Sequence, residues 1–161
     1  MNHCFIHDTP VGELVLEANL NYLTKISFKD KAYDHTKSSS INRKNLILEK
    51  TIEQLDEYFF NNRRFFTINY LLDTTSFFKK VLKEVSLIEF GKVKSYKKIA
   101  KILKNKNAHR AVANANAKNP LPIIIPCHRV IKSSGEVGGY KGGIILKRYL
   151  LSLENKTVNF H

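Results

Sequence analysis

The sequence predicts an α+β (mixed α/β) protein in two parts: a small N-terminal β-sheet plus helix domain, residues 1–73, and a mostly helical, winged helix-turn-helix-like domain, residues 74–161. Three observations carry this reading. Strand-like apolar patterning with turn signals fills the first quarter of the chain, whereas helical periodicity dominates the second half. Charge divides sharply: residues 1–73 carry 9 Lys+Arg against 10 Asp+Glu, and residues 74–161 carry 18 against 4. The break falls near Asp73, where the domain boundary is placed.

In chain order, Thr9-Pro10-Val11-Gly12 and Asn19 to Asn21 are turn signals. Glu13 to Glu17 alternates between polar and apolar residues, and Leu23 to Phe28 follows as a strand, giving a hairpin. His3, Cys4 and His7 resemble metal ligands only in type; no fourth ligand accompanies them, so they read as an ordinary first strand. Residues 29–42 are polar and serine-rich, an exposed loop. Leu48, Ile52, Leu55 and Phe59 share one helical face, predicting a helix over 43–60, stopped by Asn61-Asn62. Phe65 to Leu71 reads as a further strand.

Beyond Asp73, Phe77, Val81, Val85 and Ile88 predict a helix over 75–88, closed by Phe90-Gly91. Ser95 is placed to cap the next helix, with Ile99, Ile102 and Leu103 as its buried stripe. A turn over Lys104 to Asn107 leads to another helix with Ala108, Ala111, Val112 and Ala115 on one side. Two short helices and a tight turn form a helix-turn-helix pattern. Its setting in a strongly basic half points to a polyanionic partner, nucleic acid before a membrane surface, since no basic amphipathic anchor is present. The second helix is thin. From Ala111 to Ala117 it offers only Ala, Val and Asn, a surface suited to close approach in a minor groove more than to reading major-groove base edges.

The chemistry concentrates in Ile123-Ile124-Ile125-Pro126-Cys127-His128-Arg129-Val130-Ile131. The β-branched run between Pro122 and Pro126 reads as a short buried strand, and Pro126 throws Cys127 onto a turn. Two neighbouring cations, His128 and Arg129, are expected to favour the nucleophilic thiolate. The alternative, a buried structural cysteine, suits a Cys within a strand better than one just past its end. Cys4 and Cys127 lie too far apart in sequence to suggest a disulfide framework. With no signal peptide and no apolar run long enough to span a bilayer, a reducing, cytoplasmic compartment is expected.

Ser95-Tyr96, Arg110-Ala111-Val112, Asn119-Pro120, Pro126-Cys127-His128-Arg129-Val130 and Gly138-Gly139-Tyr140-Lys141-Gly142-Gly143 together resemble the O6-alkylguanine-DNA alkyltransferases, with family-like spacing from about Thr74 to Glu154. The resemblance implies that Cys127 takes the alkyl group from the O6 atom of guanine. His128 would deprotonate the thiol through a water and Glu154 would orient His128, a relay similar in logic to hydrolytic triads. Tyr96 would donate to the departing base, and Asn119 would bridge the recognition helix and the active-site turn. Tyr140, Lys141 and the surrounding glycines would wall the guanine pocket, next to Val130, with Lys147 nearby. Arg129 is expected to support the turn, and Arg110 to fill the base stack after nucleotide flipping.

One departure concerns Ala113-Asn114, where the family often has glycine; it bears on how closely the helix approaches DNA. Metal-binding cysteines of some members are unmatched, so no structural zinc is expected. The resemblance further implies a single-turnover transfer without added cofactor, on double-stranded DNA, by a monomer with no membrane attachment. Two other classes share parts of this surface: a non-enzymatic lesion-binding protein, against which Cys127 argues, and a Cys-His hydrolase, whose motifs are not matched.

Overall fold

Local caps explain where the helices begin. In the computed structural model, which describes residues 3–29 and 43–156, Asn45, Thr75 and Ser95 each accept a hydrogen bond from the backbone N–H three residues on. The chain divides into two compact units at Asp73/Thr74.

The first unit is a three-stranded antiparallel sheet in the order β1-β2-β3, formed by β1 (His3–Thr9), β2 (Gly12–Ala18) and β3 (Leu23–Phe28), with helix α1 (Leu46–Phe60) against it. The turn at Thr9-Pro10-Val11-Gly12 sets the β1/β2 register, pairing Thr9 with Gly12 and His3 with Ala18. Leu14, Val15 and Leu16 are all buried, so β2 is covered on both faces rather than alternating between core and water. Of the apolar face expected for α1, Leu48, Leu55 and Phe59 are buried. The helix starts at Leu46 rather than at 43 because Asn45, as cap, lies outside it. His7 pairs with Asp56 of α1 at 2.7 Å. Residues 30–42, nearly all of the expected loop, lie outside the described residues.

The strand expected from Phe65 to Leu71 is corrected. Only a single parallel bridge, Leu23 to Tyr70, ties this segment to the sheet. Its polar groups are met otherwise: Thr67 N donates to Gln54 Oε1 at 2.8 Å, and Gln54 Nε2 donates to Thr67 Oγ1 at 2.7 Å. A helix side chain thus takes the place of a neighbouring strand.

The second unit is built from α2 (Ser76–Ser86), α3 (Tyr96–Ile102), α4 (His109–Ala117) and α5 (Ile144–Glu154), with two short parallel strands, β4 (Lys94–Ser95) and β5 (Val130–Ile131). Helices α3 and α4 form the helix-turn-helix pair. Two of the expected stripes differ in detail. Ile102 is 40% exposed and Ala100 is buried in its place beside Ile99. On α4, Ala111 faces solvent while Val112, Ala115 and Asn116 are buried. Both shifts arise because these helices span only two to three turns, so small rotations decide which flank meets the core.

The expected strand at 123–125 is also corrected. Residues 123–124 form a tight turn, closed by the hydrogen bond from Ile125 N to Leu121 O at 2.9 Å and a bridge between Pro122 and Ile125. Ile123 sits at φ 74, a conformation that a β-branched side chain adopts at an energetic cost. All three isoleucines are buried, which offsets that cost by apolar burial.

Candidate active site

Cys127, His128 and Arg129 form one turn of 3-10 helix directly after Pro126. Hydrogen bonds from Cys127 N to Ile125 O and from Arg129 N to Pro126 O hold it. This short turn sends consecutive side chains in different directions, so the thiol, the imidazole and the guanidinium each meet different neighbours.

Behind the turn, Glu154 at the end of α5 receives several donors. His128 Nε2 is 2.7 Å from its Oε1, Arg129 Nε is 2.8 Å from Oε2, and Arg129 Nη2 is 2.9 Å from Oε1. Gly91 N adds a fourth contact at 3.2 Å. Gly91 has φ 75, and a Cβ there would stand 3.1 Å from the Glu154 carbonyl oxygen, so the close approach depends on glycine. Burial pushes the Glu154 carboxyl up, yet the bonds from His128 and Arg129 outweigh it and bring its pKa down to about 2. The acid is therefore a carboxylate, and it accepts a hydrogen bond from the Nε2–H of His128. Burial lowers the pKa of His128, and Arg129 and Lys147 add to that against the opposing pull of Glu154. The ring is neutral, with its proton on Nε2. Its Nδ1, buried and without a protein partner, is left as the basic atom.

The electrostatic expectation for Cys127 is overturned. Its thiol pKa is raised, because burial outweighs every stabilising neighbour. Those neighbours are Asn119 first, then Lys147, its own backbone amide and Tyr140; neither His128 nor Arg129 is among them. Arg129 is neutralised by Glu154, and His128 carries no charge. The resting nucleophile is a thiol beside a neutral base.

In front of the turn lies a cavity of about 370 Å³ lined by Tyr96, Ala113, Asn116, Asn119, Cys127, Tyr140 and Lys141, among others. Tyr96 opens α3, and burial together with Cys127 raises its pKa, so it stays a hydrogen-bond donor. Asn119, just past α4, donates to Ile125 O at 2.8 Å and accepts from Leu121 N at 3.0 Å, tying the helix to the nucleophile turn. Tyr140 faces Cys127, and burial holds its pKa well above the ordinary phenol value. Lys147 is fully buried and donates to Val130 O at 2.6 Å and to Gly139 O at 3.2 Å, joining β5 to the glycine-rich loop. Burial lowers its pKa to about 8, against the pull of Cys127. Gly138, at φ 75, lets the loop pass close to the Tyr96 ring.

Arg110 and Asn114 lie on the exposed flank of α4 and do not line this cavity. Val130 is buried in β5, and its carbonyl rather than its side chain meets Lys147. Gly139 lines the cavity, as expected of the glycines around Tyr140, whereas sequence reasoning passed over Asn116, Ala117 and Pro122, all on the cavity wall. A signal existed for Asn116: it follows Val112 by four residues, on the same helical face.

Comparison with known proteins places the whole chain. The family model described as "6-O-methylguanine DNA methyltransferase, DNA binding domain" matches residues 76–156, and the one described as "6-O-methylguanine DNA methyltransferase, ribonuclease-like domain" matches residues 3–72. A methylated-DNA--protein-cysteine methyltransferase of Mycobacterium leprae is 37% identical over 158 residues, covering 98% of this chain and 95% of the relative. The crystal structure of the Mycobacterium tuberculosis O6-methylguanine methyltransferase superposes with a TM-score of 0.88 at 34% identity, over 98% of this chain and 95% of that one. A second structure of the Mycobacterium tuberculosis protein, in complex with DNA, gives 0.87 at 34% identity over 96% and 93%. This chain belongs to the 6-O-methylguanine DNA methyltransferase family.

Proposed function

We propose that this protein repairs DNA by direct reversal, moving the alkyl group of O6-alkylguanine to Cys127 in a single, irreversible turnover. One observation carries the assignment of the nucleophile. Cys127 opens onto the cavity while a neutral His128, held by the Glu154 carboxylate, stands next to it in the chain. His128 Nδ1 takes the thiol proton through a water. The sulfur attacks the alkyl carbon, the new S–C bond forms as the C–O6 bond breaks, and the electron pair leaves onto the guanine. Tyr96 donates to the ring as that charge develops. Because burial keeps Cys127 a thiol at rest, proton removal belongs to the reaction itself. The thioether product has no route back, so no added cofactor regenerates the cysteine.

The DNA-facing roles follow from what the second unit presents. Lys79, Lys80, Lys83, Lys97, Lys98 and Lys101 are exposed on α2 and α3. On α4 the exposed residues after Arg110 are Ala111, Asn114 and Ala117, with Lys118 just past its end, a face mostly of small side chains. This supports docking in the minor groove, with Arg110 filling the stack after the nucleotide is flipped out. Residues 74–161 act as the DNA-binding and alkyl-acceptor domain and residues 1–73 as its support. Among the described residues no helix is long and apolar enough to cross a membrane. Free thiols at Cys4 and Cys127 suit a monomer working in a reducing cytoplasm.

Incubation with duplex DNA carrying O6-methylguanine, followed by intact-mass measurement, tests this reading. One methyl group is expected on Cys127 and none on Cys127→Ser, a neutral hydroxyl being a far weaker nucleophile. Transfer by the serine variant, or an unchanged mass of the parent protein, overturns it.

A further inference from the structure

The end of α5 is fastened to the turn that follows α2 on both sides of one peptide. Gly91 N donates to Glu154 Oε2 at 3.2 Å, and the next residue, Asn155, donates from Nδ2 to Gly91 O at 3.2 Å. A Cβ on Gly91 would stand 3.1 Å from the Glu154 carbonyl oxygen, so the backbones meet with no room for a side chain between them. The same turn also holds Arg129. Ile88 O accepts from Arg129 Nη1, and the guanidinium carbon lies 5.8 Å from the centre of the Phe90 ring.

A carboxylate has four lone-pair directions, and each one on Glu154 has a donor. His128 Nε2 and Arg129 Nη2 reach Oε1, whereas Arg129 Nε and Gly91 N reach Oε2. His128 and Arg129 are neighbours on one turn, so their donors move together. Gly91 supplies the donor that belongs to another element, and a main-chain N–H has no rotamer to change. With it in place the carboxylate cannot swing without losing a bond, and the Nε2–H of His128 keeps one direction. The ring is then fixed, and with it the position of Nδ1. Asn155 in turn fixes the Gly91 peptide.

We infer that Asn155 is a positioning residue for alkyl transfer, acting through the Gly91 peptide and the Glu154 carboxylate to hold the His128 ring. This rests on the reaction proposed above. Neither Asn155 nor Gly91 lines the cavity, so their effect is on the base and not on the substrate's fit.

The test pairs a rate with a spectrum. Asn155→Ala removes the donor to Gly91 O, and Asn155→Asp removes it at nearly constant volume. Each is expected to slow single-turnover transfer about fivefold, from duplex O6-methylguanine and from free O6-benzylguanine alike, the worth of one hydrogen bond. Gly91→Ala, strained at φ 75 and crowding the Glu154 carbonyl, is expected to slow it at least as much. In protein labelled with 15N-histidine, the His128 Nε2–H resonance is identified by its loss in His128→Gln. A proton bonded to a carboxylate resonates far downfield and exchanges slowly with water. In both Asn155 variants it is expected to move upfield and exchange faster. A residue that merely fastened the end of α5 would lower stability in denaturant and leave both the resonance and the rate of the folded protein unchanged. An unmoved resonance, or an unchanged rate in both Asn155 variants, overturns the inference. Absence of transfer by the parent protein overturns the reaction itself, while the resonance, which needs no transfer, still decides whether Asn155 holds the ring.

Discussion

The two units bury polar groups in opposite ways. Within the first, the buried polar residues are His3, Thr51 and Gln54, and both Thr51 and Gln54 make short-range bonds that stitch α1 to its own backbone or to the segment beside it. Within the second, His128, Arg129, Lys147 and Glu154 are buried together with Asn116 and Asn119, around one turn. Burying charge is expensive, and the expense is met only where donors and acceptors converge closely. In the second unit that convergence lies directly behind a nucleophile. Neutral stitching holds a shape, whereas a buried ionic cluster also sets protonation states.

Glu154→Gln is the strongest way to break this contrast. It leaves Arg129 buried without its counter-charge and is expected to lower stability by about 3–5 kcal/mol in denaturant titrations. It also removes a pH dependence. The folded Glu154 pKa is depressed to about 2 from 4.5, so its contribution is fully present above about pH 4.5 and is lost as pH falls through 2. The parent protein should therefore lose stability between about pH 5 and pH 2, and the variant should lack that part of the slope. Matching acid profiles would remove Glu154 as the origin of the effect.

A pair of variants sharpens the contrast inside the second unit, between cavity wall and exposed helix. Tyr96→Phe loses a donor to developing charge, a loss on the order of 3 kcal/mol or about a hundredfold in rate, on duplex DNA and on free O6-benzylguanine alike. Arg110→Ala is expected to slow repair of duplex DNA while leaving reaction with the free base close to unchanged, because the free base has no stack to fill. Stopped transfer assays on both substrates give the comparison. Equal slowing by Arg110→Ala would make Arg110 a support of the pocket.

The smallest effect belongs to the first unit. Gln54→Ala leaves Thr67 N without its partner and is expected to cost about 1–2 kcal/mol of stability, with the methyl stoichiometry of the folded protein unchanged. A loss as large as that of Glu154→Gln would end the distinction between neutral stitching and ionic clustering.

Much of this molecule is legible locally. Thr75 and Ser95 announce helix starts because an oxygen three residues before a backbone N–H can satisfy it without help from elsewhere. The hairpin turn at Thr9 to Gly12 is equally local, with Thr9 Oγ1 bonded to Gly12 O at 2.7 Å. The Cys127-His128-Arg129 turn after Pro126 could be picked out from side-chain type and spacing, whereas Tyr96, Asn119 and Glu154 were joined to it only through the family resemblance.

Other features depended on atoms remote in sequence. Ile123-Ile124-Ile125 has the composition of a strand, yet no strand runs beside it, and the closing bond to Leu121 bends it into a turn. Phe65 to Leu71 meets Gln54 instead of a full ladder. Most of all, the adjacent residues of Cys127 suggested a thiolate, but Glu154, 25 positions from Arg129, claims their charge. The local sequence determined which groups were available, where helices start and where the chain must turn. The tertiary structure alone decided which of those groups lost their water, and desolvation is what set the thiol of Cys127 and the neutral ring of His128.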